Sequence, residues 1–167
     1  MAVDSDKIYG GGVTIFKIGG PAGTDVGATR GGIEISRSLD VHLSEVDQKT
    51  AHLKARTVMN EMHVRGSFAE GIMENIAYAW NLDGTTRIND SSMYVTDSDD
   101  KEQEVYFEGP GPGATAKTSY FHAYRGFAIG DMTFQFGREE DVEAPFDFQL
   151  LLDTAKTPAR FADFWHE

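Results

Sequence analysis

Four carboxylates, Glu34, Asp40, Glu61 and Asp147, stand in segments whose side chains alternate between polar and apolar types. Two such groups on one face could act as the acid and base of glycoside hydrolysis. That chemistry also needs a concave pocket with aromatic platforms, and nothing in the order of residues announces one. The histidines, His42, His52, His63, His122 and His166, are scattered, with no H-x-H or H-E-x-x-H spacing. A hairpin that set His42 opposite His63 could begin a metal site, but histidines on a polar sheet face are the plainer reading. Asp97-Ser98-Asp99-Asp100 lacks the twelve-residue ligand spacing, central Gly and closing Glu of a calcium loop, and reads as a solvated turn. The glycine-rich stretch from Gly19 to Gly27 has no G-K-[ST] ending and leads into no helix, so it reads as a mobile connection. There is no G-x-S-x-G elbow. There is also no cysteine, hence no thiol nucleophile, disulfide or thiolate zinc site. The expectation is a protein that is not an enzyme, with no catalytic residue, no metal and no cofactor.

The bulk properties narrow the class further. At 167 residues the chain fits one domain. Its formal charge is −12, from 15 basic and 27 acidic residues. That excess opposes gripping nucleic acid, which depends on Lys and Arg neutralising phosphates, and opposes docking on anionic lipid. Met1 to Gly12 is polar and glycine-rich, without the basic and apolar regions of a secretory signal. No apolar run approaches the ~18 residues that span a bilayer.

What must position these residues is a set of short strands. Eighteen glycines punctuate alternating segments, the pattern of a β-dominated domain. From Ile33 to Leu43, Ile33, Ile35, Leu39, Val41 and Leu43 share one parity, and Glu34, Ser36, Ser38, Asp40 and His42 the other. Period two places these sets on opposite faces, with Arg37 interrupting the apolar one where the sheet is less covered. Ser44 to Arg56 reads as a long polar hairpin loop, followed by a strand from Thr57 to about Gly66. Ser67-Phe68-Ala69-Glu70 has the form of a capping box, and Phe68, Ile72, Ile76 and Trp80 recur every four residues. The spacing predicts one flanking helix over about 68–81, stopped at Leu82-Asp83-Gly84. Further strands are expected at Ser92–Thr96 and Glu104–Glu108, paired as a hairpin, then at Thr118–Ile129, Met132–Phe136 and Phe146–Leu152. Gly109 to Gly113 reads as a loop. Thr154 to Glu167 is an irregular tail whose Phe161, Phe164 and Trp165 suit docking on another surface.

Several strands thus pair an apolar face with a polar one. In a monomer the polar face meets water, and open sheet edges invite another chain. A ring of copies joined edge to edge would remove the edges and merge the polar faces into one lumen. By parity, Glu34, Ser36, Ser38 and Asp40 are the first candidates for its lining, with Glu61, Gln135 and Asp147 beside them.

The segment Asp25-Val26-Gly27-Ala28-Thr29-Arg30-Gly31-Gly32-Ile33-Glu34-Ile35 resembles the G-x-T-x-G-G-[IV] lead-in to the first long strand of bacteriophage tail-tube proteins. Val46-Asp47-Gln48 resembles the V-D-Q of that family's long loop. The helix after a strand, and the close from Arg138 through Phe146 to Asp153, are similar to the family's single helix and its final strand with an L-x-D ending. The resemblance implies a mainly β fold: a β-sandwich or barrel of two packed antiparallel sheets with one flanking helix, in a single domain over 1–167. It implies rings of six, stacked head to tail into a tube of the virion, assembled in the host cytoplasm. Four strands per subunit would line a bore that passes double-stranded DNA without specific binding. Glu45, Val46, Asp47, Gln48 and Lys49 would touch the neighbouring ring. The implied partners are copies of the chain and tape-measure, tail-terminator and baseplate or tip proteins. The inner tubes of contractile tails and of type VI secretion use a similar subunit. Twenty-four strands spaced ~4.8 Å apart and tilted about 40° would enclose a bore of roughly 35 Å, wide enough for a duplex about 20 Å across. A carbohydrate-binding β-sandwich using Tyr120, Tyr124 and Trp165 is the rival from another class.

Overall fold

The structure, a computed structural model, describes residues 12–46, 49–82, 88–89, 92–93, 95, 101–111, 117–130, 133 and 143–167, with side chains undescribed at 44–46, 49–54 and 88–89. It is mainly β, as the alternation leads one to expect. The strands are β1 (Ile15–Ile18), β2 (Thr24–Asp25), β3 (Thr29–Val46), β4 (Lys49–Phe68), β5 (Ile88–Asn89), β6 (Ser92–Met93), β7 (Gln103–Pro110), β8 (Thr118–Ala128), β9 (Ala144–Leu150) and β10 (Ala162–His166), with helix α1 (Met73–Ala79) between β4 and β5. One antiparallel sheet runs β2-β1-β7-β8-β9-β4-β3, with β10 added to β8, and β5 and β6 form a separate pair.

The sheet curls on itself. β1 and β9 are three strand spacings apart, about 14 Å if the sheet were flat. Yet the Phe16 and Phe146 rings stack at 5.4 Å, and Phe16 lies 5.6 Å from Phe68 of β4. Alternate residues of β1, β7, β8 and β9 supply this interior: Phe16, Ile18, Val105, Phe107, Phe121, Ala123, Phe146, Phe148 and Leu150 are all buried. Gly66 permits the closure, since a Cβ there would meet Phe146 Cζ at 2.7 Å.

The helix departs from its expectation. It occupies Met73–Ala79 only, and Ile72 caps it without a side-chain hydrogen bond. Ser67 and Phe68 remain in β4, because Phe68 is wholly buried in the aromatic core and a buried aromatic outweighs a cap of about 1 kcal/mol. The stop comes at Asn81 instead of Gly84. Its φ of 57° is left-handed, and Leu82 N–H bonds to Ala77 O while Asn81 N–H bonds to Tyr78 O, a Schellman ending. Asn81 also clamps Ala128 of β8 through both ends of its amide, at 2.8 and 2.6 Å.

Several boundaries also move. Ser44 to Arg56 is not a long loop: β3 and β4 stay paired through Leu43↔Ala55, Ser44↔Lys54 and Val46↔Lys49. The ladder that starts at Glu34↔Arg65 propagates outward, each further pair adding cross-strand hydrogen bonds to a register already set. Ser92–Met93 pairs with Ile88–Asn89, and Gln103–Pro110 with β1 and β8, so the expected hairpin between those two segments does not form. β7 runs through Gly109 and Pro110. Gly19 to Gly23 is a tight turn joining β1 to β2, with Gly23 N–H bonded to Gly20 O and Lys17 Nζ to Pro21 O, both 2.9 Å. Part of the tail is regular, as β10. The N-terminal arm before Gly12, Asp97–Asp100, Pro112, Gly113 and Met132, Phe134 and Phe136 lie outside the described residues.

Candidate functional site

Strand pairing gathers most of the polar candidates on one face. Cross-strand partners point to the same side of an antiparallel sheet. The register sets Glu34 beside Arg65, Ser36 beside His63, Ser38 beside Glu61 and Asp40 beside Met59. β9 continues the row, with Asp147 beside Arg65 and Gln149 beside His63. Glu34, Ser36, Ser38, Asp40, Glu61 and Asp147 therefore share the face opposite the buried Val64, Phe146 and Phe148. Gln135 lies outside the described residues. Glu34, Ser38 and Asp40 are exposed, and Ser36, Glu61 and Asp147 half-buried.

The face is of mixed charge. Asp147 accepts from Arg65 Nε at 2.8 Å and lies 2.9 Å from His63 Nδ1. Asp147, with Glu34 adding to it, holds the Arg65 guanidinium more firmly protonated. The two contacts of Asp147 tie β9 to β4, and Glu34 of β3 faces Arg65 across the register. His42 pairs with Arg56, six residues along β3 from the Ser36↔His63 pair, so the two histidines do not face each other. Among the described residues, no group of three or more His, Asp or Glu is placed to hold a metal.

The same outer surface continues over β8, β7 and β10 with a different chemistry, of which the sequence singled out Tyr120, Tyr124 and Trp165 but not their partners. Tyr106 is paired with His122, Glu108 with Tyr120, and Tyr120 with Trp165. Trp165 and Tyr120 stack at 5.2 Å, Tyr106 meets His122 edge-on at 5.9 Å, and Lys156 Nζ sits 3.9 Å over the Tyr124 ring. The Tyr106 hydroxyl donates to Glu108, that of Tyr124 to Asp163, and His122 contacts Glu104. Burial, then the Glu108 carboxylate, drive the Tyr106 phenol well above its usual range. Asp163, then burial, raise Tyr124. At the end of this ladder Arg125 grips both oxygens of Glu102 at 2.6 and 2.7 Å, which holds that carboxyl below its ordinary range.

The third feature is an arm. β9 pairs with β4 only over His63–Phe68; from Met62 to Lys49, β3 is the one partner of β4 among the described residues. The apolar side of β3 starts in the core with Ile33 and then runs out of cover. Ile35, Leu39, Val41 and Leu43 are 40–48% exposed, and Val58, bulged out of the ladder, is 65% exposed. Parity alone would have buried this side, and Arg37 marks where it leaves the body, bonded to Asn60 at 2.9 Å. Gly31 and Gly32, at φ 75° and 84°, form the bulge at its base. Glu45 and Val46 end β3 and Lys49 begins β4 at the arm's tip; Asp47 and Gln48 lie outside the described residues. Residues 36–62 hold four basic and four acidic groups, so the whole −12 belongs to the remainder.

Of the tail residues, Phe161 packs against the core and Trp165 on Tyr120, within the same chain, while Phe164 is 55% exposed. Asn75, fully buried, donates to Val26 O and Glu70 O and so anchors α1 over the β2 connection. Neither it nor Asn81 stood out in the sequence; an Asn one turn past a helical run is the signal that could have found Asn81. No helix among the described residues is long and apolar enough to cross a membrane. In comparison with known proteins, the chain matches no family model and no curated protein.

Proposed function

We propose that the chain is a structural subunit that assembles with its own copies into a hollow tube of the bacteriophage tail-tube kind. The gathered polar face of β3, β4 and β9 would then line the bore. The observation that carries this reading is that face: Glu34, Ser36, Ser38, Asp40, Glu61 and Asp147 share one side of the sheet, with Glu34, Ser38 and Asp40 exposed and the others half-buried. The arm supports it. A two-stranded ribbon is marginal in water, and one with exposed Leu39, Val41, Leu43 and Val58 gains from burial by another copy. Because the arm is neutral, its contact with a neighbouring subunit adds no charge repulsion of its own.

Carboxylates such as Glu34, Asp40 and Glu61 around a bore repel phosphate, so DNA passes without a resting place. The Asp147–Arg65–His63 group keeps the wall stiff rather than adding to its charge. The location is then the virion tail, and the partners are further copies and the proteins that start, measure and end the tube. The inner tube of a contractile or type VI secretion machine fits the same face. A carbohydrate-binding module would present flat ring faces, whereas Tyr120 and Trp165 stack on each other and Lys156 covers Tyr124.

Negative-stain electron microscopy of the purified protein tests the reading. Rings or hollow rods with a bore of roughly 35 Å, the width expected from strand spacing and tilt, are the expected result. A protein that stays monomeric by sedimentation at every concentration, and gives no rings or rods, would overturn it.

A further inference from the structure

β9 and β10 are two halves of one split strand. Both run antiparallel to β8 along the same edge. Leu150 pairs with Gly126, Leu151 N–H bonds to Arg125 O at 2.8 Å, and the ladder resumes with Ala162 opposite Ala123 and His166 opposite Ser119. Residues 151–161 leave the edge and return to it. The excursion is closed by two backbone hydrogen bonds between Asp153 and Arg160, at 3.0 and 3.3 Å.

The two halves are held very differently. β9 buries Ala144, Phe146, Phe148 and Leu150, whereas β10 buries no side chain fully. Besides its ladder, β10 is held by Ala162, which with the preceding Phe161 packs part-buried against the core, and by surface contacts: Trp165 on Tyr120, Asp163 with Tyr124 and Arg160, and Lys156 over Tyr124. Its release would withdraw only the part-buried Ala162 from the core and open the Ser119–Ala123 edge of β8. The occupant that edge fits is β10 itself, with Ala162 against Ala123 and Trp165 on Tyr120, and only a second copy of this chain supplies those side chains in that order. Once opened, eleven residues can reach at most about 36–40 Å, enough to cross to a neighbouring subunit. Exchange of this kind preserves every contact of the closed form except those of the excursion.

We propose that β10 is an exchangeable strand, and that in the assembled protein each β10 pairs with β8 of an adjacent copy. This rests on the self-assembly reading above. The chain has no cysteine, so engineered thiols report without background. Ala123→Cys and Ala162→Cys subunits are purified separately, mixed, assembled and oxidised. Exchange gives a covalent dimer on a non-reducing gel. The double variant, oxidised as a monomer before assembly, locks β10 at home and gives no rods until reduced. Ser119→Cys with His166→Cys repeats both measurements at the other end of the strand, should a thiol at the buried position 123 disturb folding. Wild-type rods, with no dimer in either mixture and locked double variants that assemble as readily as wild type, would overturn the exchange while leaving tube assembly standing. A wild-type protein that forms no multimer would overturn both.

Discussion

Tyr106 makes the sharpest residue-scale statement about pH. Its phenol is raised, so the folded state holds the proton more tightly than the unfolded chain does. The stability this gives is fully present below the ordinary tyrosine value near 10 and is lost as pH rises above it. Melting curves between pH 8 and 11 should therefore show a loss that Tyr106→Phe reduces. The variant begins lower at pH 8, having lost the Glu108 hydrogen bond worth about 1 kcal/mol, and the gap narrows as pH climbs; a constant gap would contradict the assignment. Phe68 is the complementary test of packing. It is fully buried, 4.5 Å from Phe146 and 5.6 Å from Phe16. Phe68→Ala should cost about 3–5 kcal/mol and lower Tm by roughly 6–20 °C. The spacing puts Phe68 on the apolar stripe of a flanking helix, whereas it ends β4 inside the aromatic cluster.

The arm separates folding from association at the scale of an element. Leu39, Val41 and Leu43 are exposed in the single chain, so polar replacements there remove little that the fold uses. Leu39→Gln with Val41→Thr and Leu43→Gln should change stability by within about 0.5 kcal/mol per site, yet eliminate rings and rods in the microscope. A large fall in Tm would place these residues in the monomer core instead. Deleting Glu45 to Lys54 shortens the arm at its tip and should leave a monomer of native circular dichroism that no longer polymerises; normal tubes from that deletion would remove the arm from the interface.

For the whole molecule, the question is what the wall's charge does. Glu34→Lys with Asp40→Lys changes the formal charge by four per subunit, on exposed positions that make no core contact. Tubes should still form, and they should now retain duplex DNA at low salt and release it as ionic strength rises. Delivery of a genome through such tubes should slow markedly. Unchanged delivery would mean that this face does not line the bore.

Period-two alternation and glycine punctuation made the β class legible in the residues alone, because each is a local property of the chain. They also put Glu34, Ser36, Ser38 and Asp40 on one side of a strand, as parity requires. Tertiary structure decided the rest. Whether an apolar side is covered depends on what lies above it, so Leu39 and Val41 read as core and stand exposed on an arm. Whether Phe68 opens a helix or ends a strand depends on an aromatic cluster drawn from β1 and β9, far off in sequence. That Asp147 joins Arg65 and His63, and that β10 completes the strand β9 begins, are facts of register between distant segments, which no short window of sequence contains.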